Sequence, residues 1–238
     1  MIMPKEIHPS WNGLLTDEIL AEIKRIEEAI GTDYNPADKE KVLRFLTVNL
    51  NSAKVVWLGQ DVYPAAGVAT GRSFEVGNLT SWLEPFRQVS LKNIVRLIYK
   101  TFAGIEQYDE IPSYTEIKRL IKSGIFPIVP PAEWFSSLEK QGVLFLNTSF
   151  TCQIGVPNSH RAVWAHFSCK VMEFIAEKRP DLIWFLWGRE AQSNIPYIQE
   201  GIFLESRHPA RVRSDFTDDF LKFNGFRQTW DSINWLGE

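Results

Sequence analysis

The sequence predicts an α/β fold: a single domain over residues 1–238, built as three layers, with helices on both faces of a central four-stranded parallel sheet. Four short apolar runs, rich in β-branched and aromatic residues, are typical of buried strands. Segments with helical spacing of apolar residues lie between these runs. No internal repeat or linker divides the 238 residues, of which 45% are hydrophobic, so one compact core is expected.

The predicted strands end at polar or glycine positions. They cover residues 55–58, 143–146, 182–187 and 202–205, and three of them are followed directly by Gly59, Asn147 and Gly188. In an open α/β sheet, ligands bind beyond the carboxyl ends of the strands. The polar residues that follow these runs are therefore candidates for a functional site.

The predicted helices have recognisable start and stop signals. Thr16 is placed to cap a helix that runs to about Ile30 and stops at Gly31, and residues 113–116 form a capping-box pattern that opens another helix. Residues 1–15 are expected to form an irregular arm. The other helices are predicted at residues 38–46, 90–102, 131–141, 161–178 and 190–199, the last interrupted by Pro196, and in two pieces within 215–235.

Composition limits the class and location of the protein. The net charge of −3 is not the basic balance that is typical of nucleic-acid binders, but a local basic face is compatible with this net charge. Cys152 and Cys169 are too few for a disulfide framework and fit a reducing compartment. There is no apolar signal core and no membrane-spanning stretch, so we expect a cytoplasmic, nucleoid-associated protein without a membrane partner, or a nuclear one if the source is eukaryotic.

Three polar residues follow strands and would meet at one edge of a parallel sheet: Asp61, Asn147 and His208. Each alone has an ordinary explanation, respectively a helix cap, a turn residue and a satisfied imidazole. Their arrival at the same edge favours a shared site. The sequence has no Cys/His cluster with metal-ligand spacing and no phosphate-cradling loop, so neither a metal nor a cofactor is predicted.

Five segments, in order over roughly residues 40–236, resemble the motifs of the uracil-DNA glycosylases. Residues 59–64 agree with the Gly-Gln-Asp-Pro-Tyr-His motif at four of six positions. Residues 142–148 resemble Gly-Val-Leu-Leu-Leu-Asn-Thr, and residues 185–192 resemble Leu-Leu-Trp-Gly-x-x-Ala-Gln. Residues 90–93 resemble a phosphate-contacting segment, and His208-Pro209 stand where the family has His-Pro-Ser-Pro-Leu-Ser. The chain is thus identified as a divergent member of this family.

The resemblance implies a monofunctional enzyme of base excision repair that releases uracil from single- or double-stranded DNA. It implies that Asp61 orients a water and that His208 stabilises the uracil O2. The implied base-binding residues are Gln60, mainly through its backbone, Tyr63 against the thymine methyl group, Phe74 as the stacking ring and Asn147 as the reader of the base edge.

The implied DNA contacts include the places where the chain departs from the family. Ser90 and Asn93 would contact phosphates, and Val212 would be a shortened wedge for the vacated base position. Arg211 and Arg213, with Arg207, would supply charge where a family serine is Ala210. Val62 and Pro64 also replace family residues in the first motif.

These departures leave two alternatives open. One is a weakly active or inactive module of the same fold that holds DNA or a replication partner. The other is a glycosylase for a different damaged base. A proteinaceous inhibitor is a further possible partner, and a monomer is expected.

Overall fold

A computed structural model describes all residues from Met1 to Glu238, and it confirms the predicted α/β class. Four parallel strands form the central sheet in the order β3-β2-β5-β6, and β1 pairs with β4 as a separate antiparallel ribbon. In chain order the strands are β1 (Tyr34–Asn35), β2 (Val55–Gly59), β3 (Val143–Asn147), β4 (Cys152–Gln153), β5 (Ile183–Trp187) and β6 (Ile202–Ser206).

Eight α-helices surround the sheet. They are α1 (Asp17–Ile30), α2 (Lys39–Val42), α3 (Val89–Phe102), α4 (Tyr114–Lys122), α5 (Pro131–Gln141), α6 (Arg161–Lys178), α7 (Arg189–Gln192) and α8 (Gly225–Gln228). Short 3-10 helices lie at Pro9–Trp11, Arg44–Thr47, Leu50–Ser52, Tyr108–Glu110, Ile195–Tyr197 and Phe220–Lys222.

Strands β2, β3 and β5 are buried on both faces, which explains their unbroken apolar runs, whereas the edge strand β6 is partly exposed. In β2, Val56 and Leu58 pack into the core formed with α1 and α6, whereas Val55 and Trp57 pack into the core formed with α3 and α5. Side chains alternate across a strand, so a strand that is covered on both sides has no place for a polar residue. The two cores give the three predicted layers.

The predicted helix boundaries are accurate where the end signals are local. The Thr16 hydroxyl accepts the Ile19 N–H at 3.4 Å, and α1 ends before Gly31, whose φ is 69°. The capping box that involves Ser113 and Glu116 forms at the start of α4. Hydroxyl caps satisfy backbone N–H groups that a helix leaves unpaired at its start, and a glycine at positive φ lets the chain turn away from the helix at its end.

One predicted helix is wrong as a continuous element. Residues 38–46 split into α2 and a 3-10 turn, because Leu43 leaves the helical region with φ −105° and ψ 43°. The predicted interruption at Pro196 is confirmed: residues 190–199 contain the end of α7 and a 3-10 turn that includes this proline, which lacks the N–H of a helix interior. The two predicted pieces within residues 215–235 are a 3-10 turn and α8, and both are short. The β1–β4 ribbon was not predicted.

No helix of this structure combines the length and the apolar character that crossing a bilayer requires.

Candidate active site

A cavity of about 690 Å³ opens at the carboxyl edge of the sheet. Gly59 at the end of β2, Trp187 at the end of β5 and Ser206 at the end of β6 all line it. Of the predicted site residues, the cavity is lined by Gln60, Phe74, Arg207, His208 and Arg211, and the other predicted residues do not line it. The cavity lies where ligands bind in open α/β sheets.

Asn147 lies immediately beside this cavity, behind the backbone of Gly59. The two residues are partners in the β2–β3 register, and a Cβ on Gly59 would overlap the Asn147 Oδ1 and lie 2.8 Å from the Ser73 Cβ. Asn147 is 2% exposed, and neither its Nδ2 nor its Oδ1 has a hydrogen-bond partner. Because buried amides are nearly always paired, this amide is available to a ligand that offers one donor and one acceptor.

Phe74 presents its ring to the cavity from an unusual backbone conformation. Its φ of 64° lies in the left-handed region, which bulky residues rarely adopt. The ring centroid lies 5.4 Å from that of Trp187, and the ring meets Trp57 edge-on at 6.2 Å. The Ser73 hydroxyl donates to the Trp57 carbonyl at 3.0 Å, which fastens the segment to β2. The ring is therefore held by an aromatic wall and is not mobile on a free loop.

Tyr63 supports this segment from behind. Its hydroxyl donates to the Phe74 carbonyl oxygen at 3.4 Å, and the side chain packs against the α3/α5 core. Burial raises the pKa of the Tyr63 phenol, so the hydroxyl stays protonated at neutral pH. Tyr63 thus contacts the segment that carries Phe74, and its direct contact with a bound base stays a prediction.

Asp61 has one oxygen engaged and one free of protein partners. The Asn158 N–H donates to Oδ2, whereas Oδ1 is buried without a hydrogen bond. Burial raises the pKa of Asp61, and backbone N–H groups, including that of Asn158, partly oppose this shift. A carboxylate with a raised pKa and a free oxygen is a stronger base than an exposed aspartate, and it has a lone pair to offer to water.

His208 is held in one tautomer. Its Nδ1 accepts the Ala210 N–H at 3.2 Å, so the proton of the neutral ring lies on Nε2. Partial burial, then the charge of Arg211, lowers the pKa of His208, which keeps the ring neutral at pH 7. Gly188, with φ 87°, permits the close approach of β5, since a Cβ there would lie 2.9 Å from the His208 Cβ.

The loop that carries His208 is anchored to α3 by Asn93. The Asn93 Nδ2 donates to the Pro209 carbonyl at 2.6 Å, and its Oδ1 accepts from Arg96 at 2.9 Å. The side chain is buried, so the predicted phosphate contact by Asn93 is corrected: its position is that of a loop anchor. Ser90 lies partly exposed in the first turn of α3, and its phosphate contact stays a prediction.

The predicted wedge residue lies in the loop that follows His208. Val212 is half-buried and packs against the α3/α5 core. Its insertion into the vacated base position stays a prediction.

Two of the three arginines of this loop are already paired. Arg207 contacts Asp218 at 2.8 Å and Arg213 contacts Asp215 at 2.7 Å, and their guanidinium groups lie 3.5 and 5.0 Å from the centroid of Phe216. Arg211 is exposed, lines the cavity and has no carboxylate within ion-pair distance. Arg211 is therefore the cation of this loop that is free for a phosphate.

Sequence reasoning missed the part of the cavity formed by α7. Arg189, Glu190 and Gln192 line it, and the Gln192 Nε2 donates to the Ser206 carbonyl at 3.0 Å, which links the ends of β5 and β6. The available signal was their position directly after a strand and Gly188. No three His, Cys, Asp or Glu side chains are grouped closely enough to hold a metal ion.

Comparisons with known proteins identify the family. No family model matches the chain. The uracil-DNA glycosylase of Campylobacter concisus (strain 13826) is 32% identical over 218 residues, which cover 86% of this chain and 81% of that protein. The crystal structure of mimivirus uracil-DNA glycosylase superposes with a TM-score of 0.68 at 18% identity, covering 98% of this chain and 84% of that chain. A variant of mimivirus UNG in complex with UGI superposes with a TM-score of 0.62 at 20% identity, covering 88% of this chain and 71% of that one. The structural matches show the shared fold, and the sequence relative shows that this chain belongs to the uracil-DNA glycosylase family.

Proposed function

We propose that the chain is a monofunctional glycosylase that hydrolyses the bond between uracil and deoxyribose in DNA, releasing free uracil and leaving an abasic site. The observation that carries the proposal is the unpartnered buried amide of Asn147, beside a cavity that Phe74 and His208 line. Family membership supports the same activity.

Base recognition follows from the chemistry of the amide. The target base has to leave the helical stack, because its glycosidic bond is out of reach within the duplex. The Asn147 Nδ2 would donate to the uracil O4, and its Oδ1 would accept the N3–H. Cytosine presents the opposite pattern and would leave buried groups unpaired. Phe74 would stack on the base, and Tyr63 would leave no room for a methyl group at C5.

Bond cleavage requires charge stabilisation on both sides of the breaking bond. As the C1′–N1 bond breaks, its electron pair goes to the uracil ring and concentrates at O2. The Nε2–H of neutral His208 would donate to that oxygen, a kind of contact that is worth about 3–4 kcal/mol in other enzymes. Asp61 would offset the positive charge on the sugar, orient a water toward C1′ and take its proton as the C1′–O bond forms.

DNA would be held by a small number of cations rather than by a wide basic face. Arg211 at the mouth of the cavity is the free guanidinium, and Ser90 lies at the start of α3. Phosphate contacts fix the register of the strand and carry no sequence information. Contacts by Arg213 would require that it first release Asp215.

The test is release of free uracil from an oligonucleotide with a single uracil, in single-stranded and duplex form. The same oligonucleotide with thymine in place of uracil is the control. We expect release that is lost in Asp61→Asn and strongly reduced in His208→Ala. Absence of release from both forms would reject the proposal.

Partners and location are proposals of the same kind. The mimivirus relative was crystallised with UGI, so a protein inhibitor that covers this cavity is a proposed partner. A replication partner, the monomeric state, the cytoplasmic location and the single domain over residues 1–238 stay predictions. No observation favours an inactive module or a different damaged base.

A further inference from the structure

We propose that Arg72 is a positioning residue, which fixes the backbone on which Phe74 presents its ring by tying residues 72–75 to helix α5. The inference rests on the proposed function, in which Phe74 stacks on the target base.

Arg72 bridges two carboxylates with one guanidinium. Its Nε and Nη2 donate to the two carboxylate oxygens of Glu139 in α5 at 2.7 and 2.8 Å, a fork geometry. Its Nη1 donates to both oxygens of Glu75 at 2.9 and 3.2 Å. The Arg72 side chain is 5% exposed. The residues on either side of the Ser73-Phe74 pair are thus clamped to each other and to a helix.

The hydrogen bonds of Arg72 lie on either side of Phe74, whose backbone conformation has to be held by its surroundings. A phenylalanine at φ 64° keeps that conformation only where its surroundings fix it. The Thr70 hydroxyl donates to Glu75 at 2.5 Å, and Gly71, at φ 87°, lies so close to the Lys41 carbonyl that a Cβ would overlap it. The segment is therefore held on both sides of Phe74. Arg72 is the one side chain that joins this segment to another element, α5, through an ion pair.

The charges of this network balance. Arg44 lies 3.6 Å from Glu139, so two guanidinium groups face two carboxylates. Burial alone would raise the pKa of Glu139, but Arg72, with a smaller contribution from Arg44, outweighs it and holds that pKa below its usual value. Loss of Arg72 would leave Glu75 and Glu139 buried without their main partner, which forces the segment to move or to take up protons.

The position of Phe74 should affect binding more than chemistry. A ring that stacks on the base does so before and during bond cleavage, so its loss removes uniform binding and raises KM at nearly constant kcat. A merely destabilised fold has the opposite signature, because a smaller folded fraction lowers the apparent kcat at constant KM. The split between the two parameters separates positioning from a general structural role.

The experiment compares Arg72→Met with Arg44→Met as the matched control. Arg44 shares Glu139 but makes no hydrogen bond to residues 72–75. For Arg72→Met we expect KM for a uracil oligonucleotide, and the inhibition constant of free uracil, to rise about tenfold, in the range of losing one base-stacking contact, with kcat within about twofold. Arg44→Met should leave both constants within about twofold. Unchanged constants in Arg72→Met would overturn the inference.

A second variant covers the case in which Arg72→Met does not fold. The triple variant Arg72→Met/Glu75→Gln/Glu139→Gln removes the buried charges together, so no carboxylate is left unpaired. The same rise in KM is expected, and an unchanged KM would again overturn the inference. If the unsubstituted chain releases no uracil, the proposed function fails and the inference fails with it. If the unsubstituted chain releases uracil and KM is unaltered in both variants, the inference about Arg72 is refuted and the proposed function stands.

Discussion

Asn147 offers a test in which stability and activity should change in opposite directions. Its amide is buried and both of its polar atoms are unpartnered, so the folded protein bears their desolvation without compensation. Each such group costs about 1–3 kcal/mol. The substitution Asn147→Leu replaces the amide with an apolar group of similar shape and removes this cost. We therefore expect the melting temperature to rise by at least about 2 °C, since 1 kcal/mol corresponds to about 2–4 °C in a domain of this size.

The same substitution should abolish most of the activity. The uracil N3–H and O4 would enter the site without partners, at about 1–3 kcal/mol each, which corresponds to a decrease in kcat/KM of roughly 30-fold to 25,000-fold. Uracil release from an oligonucleotide measures the activity, and thermal unfolding measures the stability.

Asn93 provides the matched control for the stability measurement. It is an equally buried asparagine, but both of its polar groups are paired, with Pro209 and Arg96. Asn93→Leu should lower the melting temperature, because it leaves buried partners unsatisfied. A lower melting temperature in Asn147→Leu, or uracil release close to that of the unsubstituted chain, would refute the reasoning about Asn147.

Three further predictions concern pH, specificity and DNA binding. Burial raises the pKa of Asp61 and lowers the pKa of His208 below its ordinary 6.5, so kcat/KM should be flat near pH 7 and should decrease on acidification below about pH 6.5, as the two groups take up protons. A decrease that begins above about pH 7 would contradict the assignment. The Tyr63→Ala variant should release thymine from a thymine-containing oligonucleotide. Absence of thymine release would count against Tyr63 as the residue that excludes the methyl group. Arg211→Ala should weaken oligonucleotide binding and reduce the slope of log K against log salt concentration by about one. Arg213→Ala removes a cation that is already paired with Asp215, so it should change this slope much less. Equal slopes for the two variants would contradict the distinction.

The parts of the fold that local signals control could be predicted. Strands β2, β3 and β5 were found because a strand covered on both faces is apolar at nearly every position, as in residues 55–58, and the partly exposed β6 was found from its apolar residues 202–204. The end of α1 at Gly31 and the capping box of α4 were found because they involve neighbouring residues. The break of residues 38–46 at Leu43 was not predicted, since no proline or glycine marks it in the sequence.

The site could be predicted as a set of residues but not as a geometry. The approach of Asn147 to Gly59 depends on the β2–β3 register, which no local pattern fixes. Sequence reasoning treated Arg207 and Arg213 as available cations, whereas ion pairs with Asp218 and Asp215 engage them. The clamp at Arg72 was missed because its partner Glu139 lies 67 residues away.

A crystal structure of the chain with free uracil is the most direct test of the proposed site. We expect the ring to stack on Phe74, with hydrogen bonds from the Asn147 Nδ2 to O4, from N3–H to the Asn147 Oδ1 and from the His208 Nε2 to O2, each at about 3 Å. Uracil bound elsewhere, or bound in the cavity with the Asn147 amide still unpaired, would contradict the proposed base recognition.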